Sequence, residues 1–226
     1  MECPVKATTK IYGLIGHPVS HSFSPAMHNT AFSKLKLDAV YGAFDVPPER
    51  LEHALMGVCG LGIAGLNVTV PHKSAVIPHL DRLEPLAKTI GAVNTIVNHN
   101  GSLRGTSTDS AGFLRALKEN GMEPNGLNIV MLGAGGSARA LLAGLAEANA
   151  SSVRVWNRTT VRAQNLVKDL KPIFPGCNIQ HIEKENLMGL ECDLLINTTS
   201  AGMHDDETAY DLNHAVKIGH VADIIY

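Results

Sequence analysis

One stretch, "LNIVMLGAGGSARALLAGLAEA" from Leu127 to Ala148, constrains the fold of this chain more than any other. It reads as a buried strand, a glycine turn and a helix in immediate succession. Within it, Gly133-Ala134-Gly135-Gly136-Ser137-Ala138 satisfies the pattern G-x-G-x-x-A. The first glycine permits a tight turn, and the second lets backbone N–H groups approach a pyrophosphate. Ala138 allows close helix–strand packing, and the helix N-terminus favours negative charge. Gly133, Ala134, Gly135, Gly136 and Ser137 are therefore candidate nucleotide contacts.

The next strand sharpens the expectation. In a βαβ nucleotide-binding unit the second strand commonly ends in an acid that holds a ribose 2′-OH. Here "VRVWNRTTVRA" ends its strand in Asn157 and Arg158, about 24 residues beyond Gly133, with Arg162 one helical turn later. An acid would repel a 2′-phosphate, whereas arginines give it charge-assisted hydrogen bonds. Cations at a helix start also oppose the helix dipole unless an anion joins them. NADP is thus expected in preference to NAD, with Asn157, Arg158, Thr159 and Arg162 around the ribose phosphate.

Strand-like and helix-like segments alternate along the rest of the chain, which predicts an α/β fold. "IYGLIG" (11–16), "AVYGAFDV" (39–46) and "IAGLNVTV" (63–70) read as the first three strands. A helix is expected over 25–37, with Ser24 as its N-cap and Pro25 at the first helical position, and another over 47–59. "AVNTIVNHNGSLRGTST" reads as a hairpin turning at Asn100-Gly101, followed by a helix over 109–120. Strands are expected in "CDLLINTTSAGM" and "HVADIIY". A boundary near Gly105 would give an N-terminal α/β substrate domain (1–105) and a Rossmann-like NADP-binding domain with a parallel sheet (106–226).

Composition excludes several other classes. The 226 residues are 45% hydrophobic, enough for a substantial core, and a net charge of −2 gives no reason to expect a nucleic-acid partner. No apolar run approaches the ~18 residues of a membrane helix, and the start lacks a signal-peptide core, so a cytoplasmic protein is expected. Cys3, Cys59, Cys177 and Cys192 are scattered, which reads as reduced, buried thiols. Eleven histidines include His17 and His21 at i, i+4, but Pro18 argues against a helix between them, and no metal site is expected.

A second informative stretch is "GLNVTVPHK", 65–73. Alternation puts Leu66, Val68 and Val70 on one strand face and Asn67 and Thr69 on the other. Pro71 is expected to open a helix, which would leave Lys73 in its first turn against the dipole. A polar pair followed by a misplaced lysine suggests a site for a proton-donating amine. In "PVSHSFSP", Ser20, Ser22 and Ser24 lie between a strand and a helix start, where they suit hydroxyls or a carboxylate.

Together these motifs resemble the shikimate dehydrogenase family: "HSFSP" (21–25), "GLNVTVPHK" (65–73), "GAVNT" (91–95), "STD" (107–109), "GAGGSARA" (133–140), "NRTTVR" (157–162) and "NTTSAGM" (197–203) occur in that family's order over essentially the whole chain. The resemblance implies NADPH-dependent, reversible reduction of 3-dehydroshikimate to shikimate in aromatic amino-acid biosynthesis. It places Ser22 and Ser24 on the substrate carboxylate and Thr69, Asn94 and Asp109 on the ring hydroxyls. Lys73 and Asp109 would form the acid–base pair, Tyr226 a substrate contact, and Thr199 and Ile224 cofactor contacts. Hydride delivery to a ketone builds an alkoxide, which a positioned ammonium can protonate. The paired serines are more similar to shikimate-specific members than to quinate-using ones. The partners implied are a small-molecule substrate and the cofactor, on a monomer or homodimer without nucleic acid or membrane.

Two features depart from the family. Ser107-Thr108-Asp109 stands where Asn-Thr-Asp is usual. The family also continues beyond "VADIIY" with helices that return to the substrate domain, so a last strand with exposed apolar surface is expected. The alternatives are a catalytically impaired NADP-binding module or regulatory remnant, and a quinate/shikimate dehydrogenase.

Overall fold

The first three apolar runs become neighbouring parallel strands, and the four of the second half join a parallel sheet to which β9 (Asn178–His181), not expected from the sequence, adds a fifth strand. The structure is a computed structural model and describes residues 5–202 and 208–225. The chain divides into two units, Met1–Thr108 and Asp109–Tyr226. The boundary expected near Gly105 falls inside a strand, Ser102–Thr106, whose pairing carries the first unit slightly further.

In the first unit, β1 (Lys10–Gly16) lies between β2 (Ala39–Asp45) and β3 (Gly65–Val68), parallel to both. The sheet continues through β5 (Thr95–His99) and β6 (Ser102–Thr106) to the two-residue β4 (Arg82–Leu83), giving the order β2-β1-β3-β5-β6-β4. β5 runs antiparallel to β3 and β6, and the expected hairpin turns at Asn100 and Gly101, both at positive φ. α1 (Ser24–Lys34) and α2 (Leu51–Gly60) connect the parallel strands.

Because β2 and β3 flank β1 on opposite sides, the two connections cover opposite faces of the sheet. Leu51, Leu55 and Val58 of α2 pack with Ile15, Leu66, Val68 and Ile96 in the main core. On the other face, Phe32 of α1 packs with Leu14, Val19 and Tyr41, and His28 stacks on Tyr41 with ring centroids 4.3 Å apart. Burial there holds the His28 pKa below its usual value. A short helix, α3 (Pro85–Ile90), completes the unit.

α4 (Asp109–Glu119) opens the second unit. Its sheet, in the order β11-β10-β7-β8-β9, is parallel throughout: β7 (Asn128–Leu132), β8 (Ser152–Trp156), β9 (Asn178–His181), β10 (Leu190–Asn197) and β11 (Ala215–Asp223). α5 (Gly136–Glu147) and α6 (Thr160–Leu170) form the crossovers to β8 and β9. The last strand starts earlier than expected, at Ala215, and Val216 and Val221 on it are exposed. Cys177 and Cys192 are buried, and burial pushes the Cys192 thiol up to about 11. Cys59 is only half-buried, and Cys3 lies outside the described residues.

Helix α5 is apolar almost all round, with Ala138, Leu141, Leu142, Ala143 and Leu145 buried. Its Gly144 faces α4, where an added Cβ would lie 2.6 Å from Ser110 Cβ. Helix propensity alone favours alanine over glycine by about 1 kcal/mol, whereas overpacking costs about 1–3 kcal/mol. Overpacking wins, so Gly144→Ala is expected to lower the unfolding free energy measured in urea. A stabilised variant would contradict this packing.

Candidate active site

In each unit the strand order reverses at one point, and loops leaving two adjacent strands there diverge to opposite faces. Ligands of open α/β sheets bind in the crevice beyond the carboxyl ends of such strands. In the first unit that point lies between β1 and β3, and the predicted residues gather on the loops that follow them.

The loop after β1 carries Ser22 and Ser24. Their hydroxyls are 3.2 Å apart, and Ser22 Oγ also accepts from the Ser24 backbone N–H at 3.2 Å. Ser24 is not the N-cap that the sequence suggested. Phe23 holds that position with helical dihedrals, and Ser24 is already the first helical residue. Both serines are half-buried. The loop after β3 starts at Thr69, whose N–H donates to Ile15 O at 2.9 Å. The His17 N–H donates to Val70 O at 2.9 Å, and a Cβ on Gly16 would lie 2.3 Å from Thr69 Cγ2, so the two loops are in direct contact.

Pro71 does not open a helix. Residues 70–76 form successive turns, so no helix dipole acts on Lys73, contrary to the expectation. The turns are pinned from three sides. Buried His72 donates through Nε2 to Val46 O at 2.7 Å, Val93 N–H donates to Lys73 O at 2.7 Å, and Ser74 Oγ donates to Gly91 O at 3.0 Å. Lys73 is half-buried. The strand also ends sooner than expected, at Val68, so Leu66 and Val68 enter the core while Val70 is 67% exposed.

Asn94 joins this edge through its backbone, its C=O accepting from Val68 N–H at 2.8 Å. Its side-chain Oδ1 accepts from Thr108 N–H at 3.0 Å and from the Thr95 hydroxyl at 3.0 Å, and its Nδ2 donates to Thr108 Oγ1 at 2.9 Å. Asn67 links the same group to β2: its Oδ1 accepts from the Tyr41 hydroxyl at 2.7 Å, and its Nδ2 donates to Thr95 Oγ1 at 3.2 Å. Ser22, Ser24, Thr69, Lys73 and Asn94 thus share one edge of the first sheet. Asp109 is the first residue of the second unit, at the start of α4.

In the second unit the reversal lies between β7 and β10. Gly133 follows β7 at φ +108°, and a Cβ there would lie 2.4 Å from Thr198 Oγ1. Thr198 follows β10, and its N–H and hydroxyl both donate to Leu132 O, at 2.8 and 2.7 Å. At Gly135 the surroundings are the opposite: an added Cβ would meet nothing within 4 Å, and no side chain caps α5. Glycine at 133 is required by the fold, whereas glycine at 135 faces open space before a helix N-terminus. That is the cradle a pyrophosphate needs, so Gly133–Ser137 fit a dinucleotide.

Asn157 follows β8 half-buried, its Nδ2 donating to Thr159 O at 2.9 Å. Arg158, Thr159 and Arg162 are exposed around the uncapped start of α6, and neither arginine pairs with an acid among the described residues. Uncompensated cations at a helix start fit a bound anion. Thr199 is held in the loop after β10 by Asn197, whose Oδ1 accepts from its N–H and hydroxyl at 3.0 and 2.7 Å. Ile224 follows β11 half-buried, donating to Asn197 O at 3.2 Å, and Tyr226 lies outside the described residues. Among the described residues, no group of three His, Cys, Asp or Glu side chains could hold a metal ion, and no helix is long and apolar enough to cross a membrane.

Three structural residues escaped the sequence reading: His72, Tyr41 and Asn197. Asn197 is buried and donates through Nδ2 to Asp223 Oδ2 at 3.0 Å, tying β10 to β11. An amide ending the apolar run "LLIN" was its only local signal.

The parallel sheet, glycine turn and cation pair define a two-unit α/β enzyme with a Rossmann-like nucleotide unit. Residues 14–96 match the family described as shikimate dehydrogenase substrate binding domain, and residues 116–206 match shikimate / quinate 5-dehydrogenase. The chain belongs to the shikimate dehydrogenase family. It is 45% identical to shikimate dehydrogenase (NADP(+)) of Caldanaerobacter subterraneus subsp. tengcongensis, over 98% of this chain and 80% of that protein. The crystal structure of shikimate 5-dehydrogenase from Thermus thermophilus in complex with NADP(H) and shikimate is similar at a TM-score of 0.85 and 37% identity, covering 96% of this chain and 79% of that one. Shikimate dehydrogenase from Aquifex aeolicus is similar at 0.88 and 39%, covering 99% and 81%.

The contrast between the two glycines is measurable. Gly133→Ala is expected to destabilise the protein by about 2 kcal/mol or more, from the positive φ and the contact with Thr198. Gly135→Ala should leave the urea midpoint unchanged and weaken NADP binding in calorimetry. Equal stability losses in both variants would refute the distinction.

Proposed function

We infer that this chain is an NADP-dependent shikimate dehydrogenase that interconverts 3-dehydroshikimate and shikimate. The observation that carries this reading is the gathering of Ser22, Ser24, Thr69, Lys73 and Asn94 on one edge of the first sheet, at its strand-order reversal. A carboxylate and ring hydroxyls need donors of this kind, close together and held rigidly. The first unit is the substrate-binding, catalytic one, and the second holds the cofactor.

Ser22 and Ser24 bind the substrate carboxylate through their adjacent hydroxyls. Thr69, Asn94 and Asp109 bind the ring hydroxyls, and Tyr226 adds a substrate contact. The Gly133–Ser137 backbone holds the pyrophosphate, Asn157, Arg158, Thr159 and Arg162 the 2′-phosphate, and Thr199 and Ile224 line the nicotinamide end. Bound NADPH supplies a hydride, two electrons and a proton nucleus, to the carbonyl carbon. The carbonyl π-bond pair moves onto oxygen, and the Lys73 ammonium delivers the proton that completes the hydroxyl, with Asp109 as the other member of the acid–base pair. In shikimate oxidation the same pair accepts that proton. The protein works in the cytoplasm as a monomer or homodimer.

Lys73→Ala tests the assignment. General acid–base catalysis contributes typically ~10²–10⁴-fold, so kcat for shikimate oxidation is expected to fall at least about a hundred-fold with NADP affinity and thermal stability retained. Turnover close to that of the unaltered chain would remove Lys73 from the chemistry.

A further inference from the structure

We propose that the Tyr41 hydroxyl is a positioning group for substrate binding, acting through Asn67 and Thr95 on the carboxamide of Asn94; this rests on the reading of Asn94 as a substrate ligand. Tyr41 lies in β2, away from the loops that carry the site. Its ring is buried among Leu14, Val19 and Phe32 and stacked on His28. Its hydroxyl begins a chain of hydrogen bonds that runs across the sheet from β2 through β3 to β5.

The polarity of that chain is set at both ends. Asn94 Oδ1 faces the Thr108 backbone N–H at 3.0 Å, and a backbone N–H can only donate, so the amide oxygen points there and the amide nitrogen points to Thr108 Oγ1. Asn67 Nδ2 faces the Asn94 backbone carbonyl at 3.4 Å, which can only accept, so Asn67 turns its nitrogen inward and its oxygen toward Tyr41. The Tyr41 hydroxyl therefore donates at 2.7 Å. Thr95 Oγ1 receives the Asn67 Nδ2 proton at 3.2 Å and gives its own to Asn94 Oδ1 at 3.0 Å. Every donor in the series has one direction, and each fixes the rotor of the next.

Removing the phenolic hydroxyl leaves Asn67 Oδ1 without this donor. Turning the amide over would set its oxygen against the Asn94 carbonyl, so Asn67 keeps its sense but is no longer held from the Tyr41 side, and its bond to Thr95 loosens. Asn94 stays anchored by Thr108, but the Thr95 hydroxyl that holds its Oδ1 from the other side is less firmly placed, so its amide is aimed at the substrate less tightly. The cost falls on substrate affinity, not on the nucleotide or the proton transfer.

A double-mutant cycle on the full chain tests this. Shikimate Kd, shikimate KM, kcat and NADP Kd are measured for the unaltered chain, Tyr41→Phe, Asn94→Ala and the double variant. Tyr41→Phe keeps the ring on His28, so Tm is expected to fall by only a few degrees through the lost hydrogen bond, with NADP affinity unchanged. One neutral hydrogen bond converts to a rise of roughly three- to ten-fold in shikimate Kd and KM, with kcat nearly constant. In the Asn94→Ala background the same substitution should have no further effect. Asn67→Asp, which keeps an oxygen toward Tyr41 and removes the amide donor, should give the same shikimate-selective rise. The proposal is overturned if the Tyr41→Phe penalty persists at full size without Asn94, or if it is absent while Asn94→Ala loses shikimate binding. If Asn94→Ala binds shikimate as the unaltered chain does, the assignment of Asn94 itself fails, and the relay with it.

Discussion

Parallel pairing around a central strand is the constraint on which the rest of this structure depends. β1 pairs with β2 and β3, and β7 pairs with β8 and β10. Once both neighbours of a strand run parallel to it, their connections must cross on opposite faces, and the loops beyond the carboxyl ends separate. Two openings follow, one in each unit. The chain places its small and polar residues at these openings and its apolar runs beneath them.

The loops that border each opening are fixed by a few short bonds rather than by regular structure. His17 to Val70, His72 to Val46 and Lys73 to Val93 secure the first; Thr198 to Leu132 and Asn197 to Asp223 secure the second. Buried polar groups that are fully paired in this way specify one arrangement, because any other would leave a donor or acceptor unsatisfied. Loops fixed in this way suit the proposed site, because hydroxyl, amide and ammonium groups already held in place need no reorganisation during a reaction.

Much of this was legible in the sequence, for physical reasons. The second unit showed most clearly, since a strand, a glycine turn and an Ala/Leu helix are contiguous in the chain. Asn100-Gly101 likewise announced its own hairpin. The failures share a cause: tertiary bonds decided what local signals left open. Pro71 is a good first residue for a helix, yet His72 and Lys73 are held by Val46 and Val93 into turns. Ser24 is a good cap by type, but Ser22, two residues earlier, supplies the hydroxyl that meets the helix start. The "NIQH" of β9 has one buried apolar residue and becomes a strand only by pairing with β8. Tyr41 reads as an ordinary core aromatic, because the partner of its hydroxyl lies on another strand.

An acid-free second strand followed by cations, together with a polar sheet edge, makes an NADP-dependent dehydrogenase for shikimate. The most direct test is the initial rate of nicotinamide reduction by the unaltered chain, with NADP or NAD and with shikimate or quinate in all four combinations. Turnover is expected to be fastest with NADP and shikimate. A folded, NADP-binding protein that does not oxidise shikimate, or one that prefers NAD, would contradict this assignment.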